Sequence, residues 1–252
     1  RIPKVEFKDM EFVYAGAKEP ALKDISFCAM AGQTIGVIGG TGSGKSTLVN
    51  LIPRFYDAAS GQVLVDGTDV KEYSLDELRD KTGVVPQKSV LFKGTLRDNM
   101  RWGKQDASDE EIYRALDTAQ AREFVDSKGE GLDLYIDQGG HNLSGGQRQR
   151  LTIARALVRR PEILIMDDSA SALDFATDAR LRKAIRENTG DMTVFIVSQR
   201  ATTIKSADTI LVLDEGRLAG MGTHKELLKD CQVYREICLS QLSKEEVERD
   251  EQ

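Results

Sequence analysis

The stretch Thr34-Ile35-Gly36-Val37-Ile38-Gly39-Gly40-Thr41-Gly42-Ser43-Gly44-Lys45-Ser46-Thr47 decides how this chain folds. A short apolar run ends in a glycine-rich loop. A helix is expected to open near Lys45 and to stop before Pro53, because the residue ahead of a proline disfavours helical geometry. The loop matches G-x-x-x-x-G-K-[ST] in full, and strand–loop–helix is the context that pattern requires. Glycines let the backbone curl until successive amides face one point, where phosphate oxygens can sit. The start of the helix adds the positive end of its dipole. Lys45 is expected to reach the outer phosphates of a nucleotide, and the Ser46 hydroxyl to ligate Mg2+. Gly39, Gly40, Thr41, Gly42, Ser43, Gly44, Lys45, Ser46 and Thr47 are therefore the candidate phosphate-binding residues.

Outward from this loop, strands alternate with helices. Residues 4–12 alternate polar and apolar as a strand does, 21–27 reads as another, and 62–67 as a third closed by Asp66-Gly67. Three more apolar runs lie at 163–166, 193–197 and 209–213. Between 88 and 150 the pattern is mainly helical, with Ile112, Ala115, Leu116 and Ala119 at helical spacing. Three capping boxes are expected, at Ser74-x-x-Glu77, Ser108-x-x-Glu111 and Thr223-x-x-Glu226. Such alternation predicts an α/β fold with a mostly parallel sheet covered on both faces. The run Ile163-Leu164-Ile165-Met166 ends in Asp167-Asp168. A buried strand terminating in Asp beside a complete phosphate loop is the second half of a nucleotide site, with Asp167 expected to hold Mg2+ directly or through water.

Composition narrows the classes. The chain has 252 residues, 40% hydrophobic and 30% charged, with a mean hydropathy of −0.37. That balance excludes wholesale disorder, and the length allows one large domain or two intimate subdomains. No apolar stretch approaches the ~18–20 residues a membrane helix needs. A net charge of −6 argues against a general nucleic-acid binder. Cys28, Cys231 and Cys238 lack ligand spacing, and an odd count without a framework predicts free thiols in a reducing compartment. His141 and His224 read as surface residues, and the mainly charged segment 243–252 as a solvated or frayed tail. The chain begins at Arg1 without a Met, so it is read as a piece of something longer.

A phosphate loop alone does not name a function. The discriminating segment is Leu143-Ser144-Gly145-Gly146-Gln147, followed by Arg148-Gln149-Arg150. Here the sequence resembles the ATP-binding cassette (ABC) family, whose signature is LSGGQ, and the resemblance covers nearly the whole chain. Tyr14 is similar to the family's aromatic A-loop residue, which implies stacking on adenine. Gln87 in Val84-Val85-Pro86-Gln87 is similar to the Q-loop, a metal contact and the link to the membrane domain. Ser171-Ala172-Leu173-Asp174 is similar to the D-loop. Residues 91–100 resemble the helical subdomain of ABC exporters.

The resemblance implies a P-loop NTPase core of the RecA-like kind, with an N-terminal antiparallel β subdomain and an inserted α-helical subdomain. It divides the chain into an ATP-binding core with β subdomain (1–87 and 151–242), a helical subdomain carrying the signature (88–150) and the charged tail (243–252). It further implies a head-to-tail pair of cassettes that binds ATP and Mg2+, each ATP lying between one chain's phosphate loop and the other's signature. A transmembrane domain would precede Arg1, with the cassette at the cytoplasmic face of the cell membrane. No nucleic-acid partner is expected.

Two positions depart from the family pattern. Asp168 stands where Glu normally follows the strand-terminal Asp and orients the attacking water. One methylene fewer withdraws the carboxylate by roughly 1–1.5 Å, and a misplacement near 1 Å can cost about 10²-fold in rate. Gln199 stands at the switch position, where the family has His. Gln can donate a hydrogen bond to the terminal phosphate but cannot carry charge or trade protons near neutral pH. Both hydrolysis-supporting positions are altered while the binding ones are intact. This resembles the degenerate half of heterodimeric bacterial exporters, often multidrug exporters, whose LSGGQ completes the partner's competent site. The alternatives are a homodimeric ABC ATPase with ordinary hydrolysis and a non-transport ABC ATPase.

Overall fold

The computed structural model describes residues 1–252. In chain order the elements are β1 (Val5–Phe12), β2 (Leu22–Ala29), β3 (Thr34–Gly39), α1 (Lys45–Asn50), β4 (Ser60–Val65), β5 (Thr68–Asp69), α2 (Leu75–Lys81) and β6 (Thr82–Val85). Then come β7 (Gly94–Thr95), α3 (Leu96–Arg101), α4 (Asp109–Thr118), α5 (Arg122–Ser127), β8 (Tyr135–Ile136), α6 (Gly145–Val158), β9 (Ile163–Asp167) and α7 (Phe175–Asn188). The chain closes with β10 (Thr193–Val197), α8 (Ala201–Ile204), β11 (Thr209–Asp214), β12 (Arg217–Gly222), α9 (His224–Asp230), α10 (Gln232–Gln241) and α11 (Lys244–Glu251). No helix is long and apolar enough to cross a membrane.

Two compact units result. The first joins Arg1–Thr82 to Asp191–Gln252, and the second is Gly83–Gly190. The second unit contains the helical stretch expected over 88–150 and extends past it through β9 and α7.

In the first unit, an antiparallel sheet has the order β2-β1-β4-β5. The alternation in β1 buries Val5, Phe7, Met10 and Phe12, and Phe7 stacks on its cross-strand partner Phe27 at 4.6 Å. Such aromatic pairs add to the burial of their area. The other sheet of this unit runs β12-β11-β3-β10. Here β3 is parallel to both β10 and β11, and β12 closes the edge antiparallel. The buried run of β3 is the strand read from 34–39, and its parallel neighbours are the predicted strands at 193–197 and 209–213. Strands buried on both faces read as continuous apolar runs, which is why all three were visible in the sequence.

In the second unit, β9 lies beside β6, and β7 pairs with β8 antiparallel. Ile112 and Leu116 of α4 are fully buried and α6 buries Leu151 and Ile153, so this unit has its own apolar interior.

The expected helix caps form, with differences. Ser108 and Thr223 make reciprocal boxes with Glu111 and Glu226. At Ser74 the hydroxyl accepts from the Glu77 N–H in the one-way form. Two further boxes appear, Thr95 with Asp98 and Ser144 with Gln147.

The C-terminal segment corrects the sequence reading. Residues 243–252 do not fray: α11 is capped by Ser243 and buries Val247 completely. His224 is not a surface residue either. Its side chain is 12% exposed. Its Nδ1 lies 2.5 Å from the Tyr234 hydroxyl and its Nε2 3.0 Å from Asp250 Oδ2. Lys205 and Asp250 pair at 3.4 Å, and Arg235 and Glu251 at 2.8 Å. Two charges of this helix, Asp250 and Glu251, are paired with residues distant in sequence, which a local reading of a charge run cannot register.

Candidate nucleotide site

The first unit brings together Tyr14, the loop 39–47 and Gln199. The loop leaves β3 through Gly39, where an added Cβ would stand 2.3 Å from the Leu213 carbonyl oxygen and 2.6 Å from Ser43 Oγ. Only glycine fits that approach. Gly44 caps α1 at φ 99, a conformation that favours glycine, and α1 has no side-chain cap. Lys45 Nζ donates to the carbonyls of Gly39 (2.8 Å) and Gly40 (2.9 Å), which holds the ammonium against the first turn of the loop. Ser43 N–H closes that turn on Gly40 O at 3.1 Å.

Tyr14 is tied to this loop by its hydroxyl, which hydrogen-bonds the Thr47 hydroxyl. Its ring is 39% exposed and is held edge-on by Phe12 at 4.7 Å and Tyr56 at 5.6 Å. An aromatic face is thereby fixed at the loop, suited to stacking on a base. Gln199 follows β10 with its side chain exposed, and its backbone carbonyl accepts from Gln241.

The second unit carries Gln87, the signature segment, Asp167, Asp168 and residues 171–174. Gln87 is exposed just beyond β6, and Asp167 is buried at the end of β9. Asp168 adopts φ 50, in the left-handed region where Asp is several-fold enriched among non-glycine residues. Ser144 is the N-cap of α6. Its Oγ accepts from Gln147 N–H at 3.1 Å, while Gln147 Oε1 accepts from Ser144 N–H at 3.0 Å. A hydroxyl that accepts in a cap still has its own hydrogen to donate. The cap thus aims a donor from the start of a 14-residue helix, the end that favours an anion. Arg148 braces the preceding loop by donating to Leu143 O at 2.6 Å.

The signature is also joined to the segment 171–174, through a residue whose role the sequence reading missed. Gln149 is buried; its Oε1 accepts from Ala172 N–H at 2.8 Å and its Nε2 donates to Ser171 Oγ at 3.1 Å. Gly146 abuts the same segment: an added Cβ would lie 3.3 Å from Ala172 O. Leu173 is buried. Asp174 caps α7 by accepting from Thr177 N–H at 2.7 Å. That bond, with the Thr177 hydroxyl, holds its carboxyl below the ordinary range. Gln149, which the sequence reading left out, had a weak signal as a polar residue on the buried stripe of an amphipathic helix, but its partners lie 22 and 23 residues away.

The profile of the ABC transporter family matches residues 22–171. The chain belongs to the ABC transporter family. An uncharacterized ABC transporter ATP-binding protein of Mycobacterium tuberculosis is 49% identical over 233 residues, covering 91% of this chain and 40% of that protein. The ATP-dependent lipid A-core flippase of Haemophilus influenzae is 43% identical over 240 residues, covering 95% of this chain and 41% of the flippase. A bacterial Atm1-family ABC exporter solved with ATP bound superposes with a TM-score of 0.91 at 37% identity, over 97% of this chain and 43% of that one. The chain therefore spans about two fifths of the length of these relatives.

The fold of the cassette is accordingly α/β, a P-loop NTPase core with an antiparallel β subdomain and a helical subdomain. Its own residues fit a nucleotide's phosphates. The Ser43 hydroxyl is buried without a protein partner, and a buried donor of that kind is stabilised by an acceptor such as a phosphate oxygen. The Gly39 approach keeps that corner free of side chain. For Mg2+ the donors are spare: no cluster of three acidic, His or Cys side chains exists. Mg2+ in phosphoryl-transfer sites is held by one or two carboxylates, waters and the substrate's phosphates. The first unit offers the Ser46 hydroxyl, and the second separately offers the Asp167 carboxylate and the Gln87 amide, donor types compatible with Mg2+, which would supply charge neutralisation at phosphates.

Proposed function

We propose that this chain is the ATP-binding cassette of an exporter, working at the cytoplasmic face of a membrane, and that its own ATP site hydrolyses slowly or not at all. The observation that carries the reading is the contrast between an intact binding apparatus and two altered hydrolytic positions. The phosphate loop, Asp167 and the signature are complete, while Asp168 and Gln199 stand where Glu and His would orient and polarise water. In this reading Tyr14 stacks on adenine and Lys45 draws the outer phosphates. Ser46, Asp167 and Gln87 serve Mg2+. Ser144, Gly145 and Gly146 address the terminal phosphate of an ATP held by a second, non-identical cassette. Leu143 and Gln147 anchor that segment, and the D-loop residues Ser171, Ala172, Leu173 and Asp174 face the partner.

Coupling to a transmembrane domain would run through Gln87 and the helical subdomain. An exposed aromatic pair on the second unit supports this: Phe92 and Trp102 lie 4.8 Å apart, with Trp102 69% exposed. Aromatic residues are enriched in protein interfaces, and an exposed aromatic pair offers such a contact.

The test uses the assembled transporter. Ser144→Arg puts a bulky cation in place of the donor. Turnover at the partner's site is expected to fall at least tenfold while ATP binding at Lys45 is retained. Unchanged turnover would contradict signature donation.

One observation favours a second reading, an ordinary homodimeric ATPase. Asp168 sits at φ 50, where a short Asp is better tolerated than Glu. In that reading the substitution answers a backbone requirement, and the chain alone hydrolyses ATP at an ordinary rate.

A further inference from the structure

The C-terminal helices reach the switch position through one side chain. Gln241, the last residue of α10, places Oε1 2.7 Å from Ala201 N and Nε2 2.6 Å from Gln199 O. Both partners are main-chain groups, so only one orientation of the amide satisfies them. The two bonds bracket Arg200. The Arg200 N–H is itself held at 3.0 Å by the buried Ser198 hydroxyl. Three successive polar main-chain groups after β10 are thus fixed by side chains, two of them by a residue some 40 positions further along the chain.

The local sequence does not supply this. α8 begins at Ala201, which is fully buried, and its N-cap Arg200 makes no side-chain capping bond. The first amides of a helix need a partner, and Gln241 provides it from outside. α10 is in turn seated firmly. Tyr234 and Cys238 are completely buried, and burial, with Cys238 beside it, pushes the Tyr234 hydroxyl well above its ordinary pKa. The Tyr234 hydroxyl meets His224, and His224 meets Asp250 of α11, so α9, α10 and α11 form one clasped body. The Gln199 side chain stays exposed while its backbone is pinned to that body.

We propose that Gln241 is a positioning residue for the switch position: it sets the backbone at 199–201 so that Gln199 is presented to the terminal phosphate, and it makes the C-terminal helices part of the nucleotide site. This rests on the reading of Gln199 as a phosphate-facing residue given above.

The test compares Gln241→Ala, Gln241→Glu and Gln199→Ala with the unaltered chain in the assembled cassette pair. Two quantities are read: hydrogen exchange at amides 199–204, and ATP affinity at this chain's own phosphate loop. Gln241→Ala is expected to speed exchange at 199–204 at least tenfold. It should also weaken ATP affinity at this chain's own phosphate loop at least threefold, in the same direction as Gln199→Ala. Gln241→Glu is expected to share the defect at pH 8 and to recover only as pH falls toward the ordinary Glu value of about 4.3. A carboxylate can accept from Ala201 but only a protonated carboxyl can donate to Gln199 O; a helix lost for structural reasons would show no such rescue. If Gln241→Ala fails to fold, the pH profile of Gln241→Glu carries the test. Unchanged exchange overturns the proposal, and so does unchanged ATP affinity in Gln241→Ala where Gln199→Ala weakens it. If Gln199→Ala itself leaves that affinity unchanged, the reading of Gln199 fails and the proposal falls with it.

Discussion

The phosphate loop (39–47) and the signature (143–147) are both short glycine-bearing segments that lead into a helix, yet they are held in shape by different forces. The loop is defined by close contact. Gly39 has no room for a Cβ against Leu213 O, α1 lacks a side-chain cap, and Lys45 bonds the loop's own carbonyls. The signature is defined by side-chain hydrogen bonds: Ser144 and Gln147 cap α6 reciprocally, and Gln149 ties the helix to Ser171 and Ala172. Gly145 has ordinary room, since a Cβ there would lie 3.6 Å from Ala172 Cβ, while Gly146 is tighter, at 3.3 Å from Ala172 O. A contact-built device refuses any added atom. A hydrogen-bonded one tolerates shape but depends on particular polar groups and on their protonation.

The largest effect should separate the two on steric grounds. Gly39→Ala is expected to destabilise the chain by about 1–3 kcal/mol or more, the range for overpacking a tight site. Gly145→Ala should stay within about 0.5 kcal/mol, as substitutions away from such features do. Urea denaturation measures both; equal costs would break the comparison. Next comes Gln149→Leu. Losing two hydrogen bonds should cost about 1–2 kcal/mol and speed hydrogen exchange at 171–173, with ATP affinity at the phosphate loop unchanged.

These contrasts explain what was legible in the sequence. A contact-built loop needs glycine at fixed offsets with Lys and Ser behind, so it is written as a pattern. The buried strands β3, β9, β10 and β11 are written as apolar runs. The capping boxes at Ser108 and Thr223 are local and were readable. The partners of Gln149, His224, Asp250 and Gln241 were not, because each lies 10 to 42 residues away and no local pattern announces a long-range hydrogen bond. The charged segment 243–252 was misread for the same reason: one buried Val247, ion pairs to Lys205 and Arg235 and a hydrogen bond to His224 fold it.

The smallest effect concerns protonation. Asp174 beside the signature has its carboxyl lowered by the Thr177 N–H. A lowered pKa means the cap's contribution is present above the unfolded-state value of about 3.9 and is lost as pH falls through the folded one. The Thr177 amide shift should therefore titrate with a midpoint below about 3.9, while loop amides 40–44, which rely on contact, should show no matching transition. A midpoint at or above the ordinary value would contradict this cap.

We propose that ATP binding is complete and hydrolysis impaired at this chain's own site. Single-turnover ATP hydrolysis by the chain, unaltered and with Asp168→Glu combined with Gln199→His, tests this. Tight ATP binding is expected in both, with slow turnover in the unaltered chain and a gain on the order of tenfold to a hundredfold in the double variant, the scale of a near-1 Å correction in catalytic geometry. An unaltered chain that already turns over ATP at an ordinary rate, with no gain from the two substitutions, would contradict it.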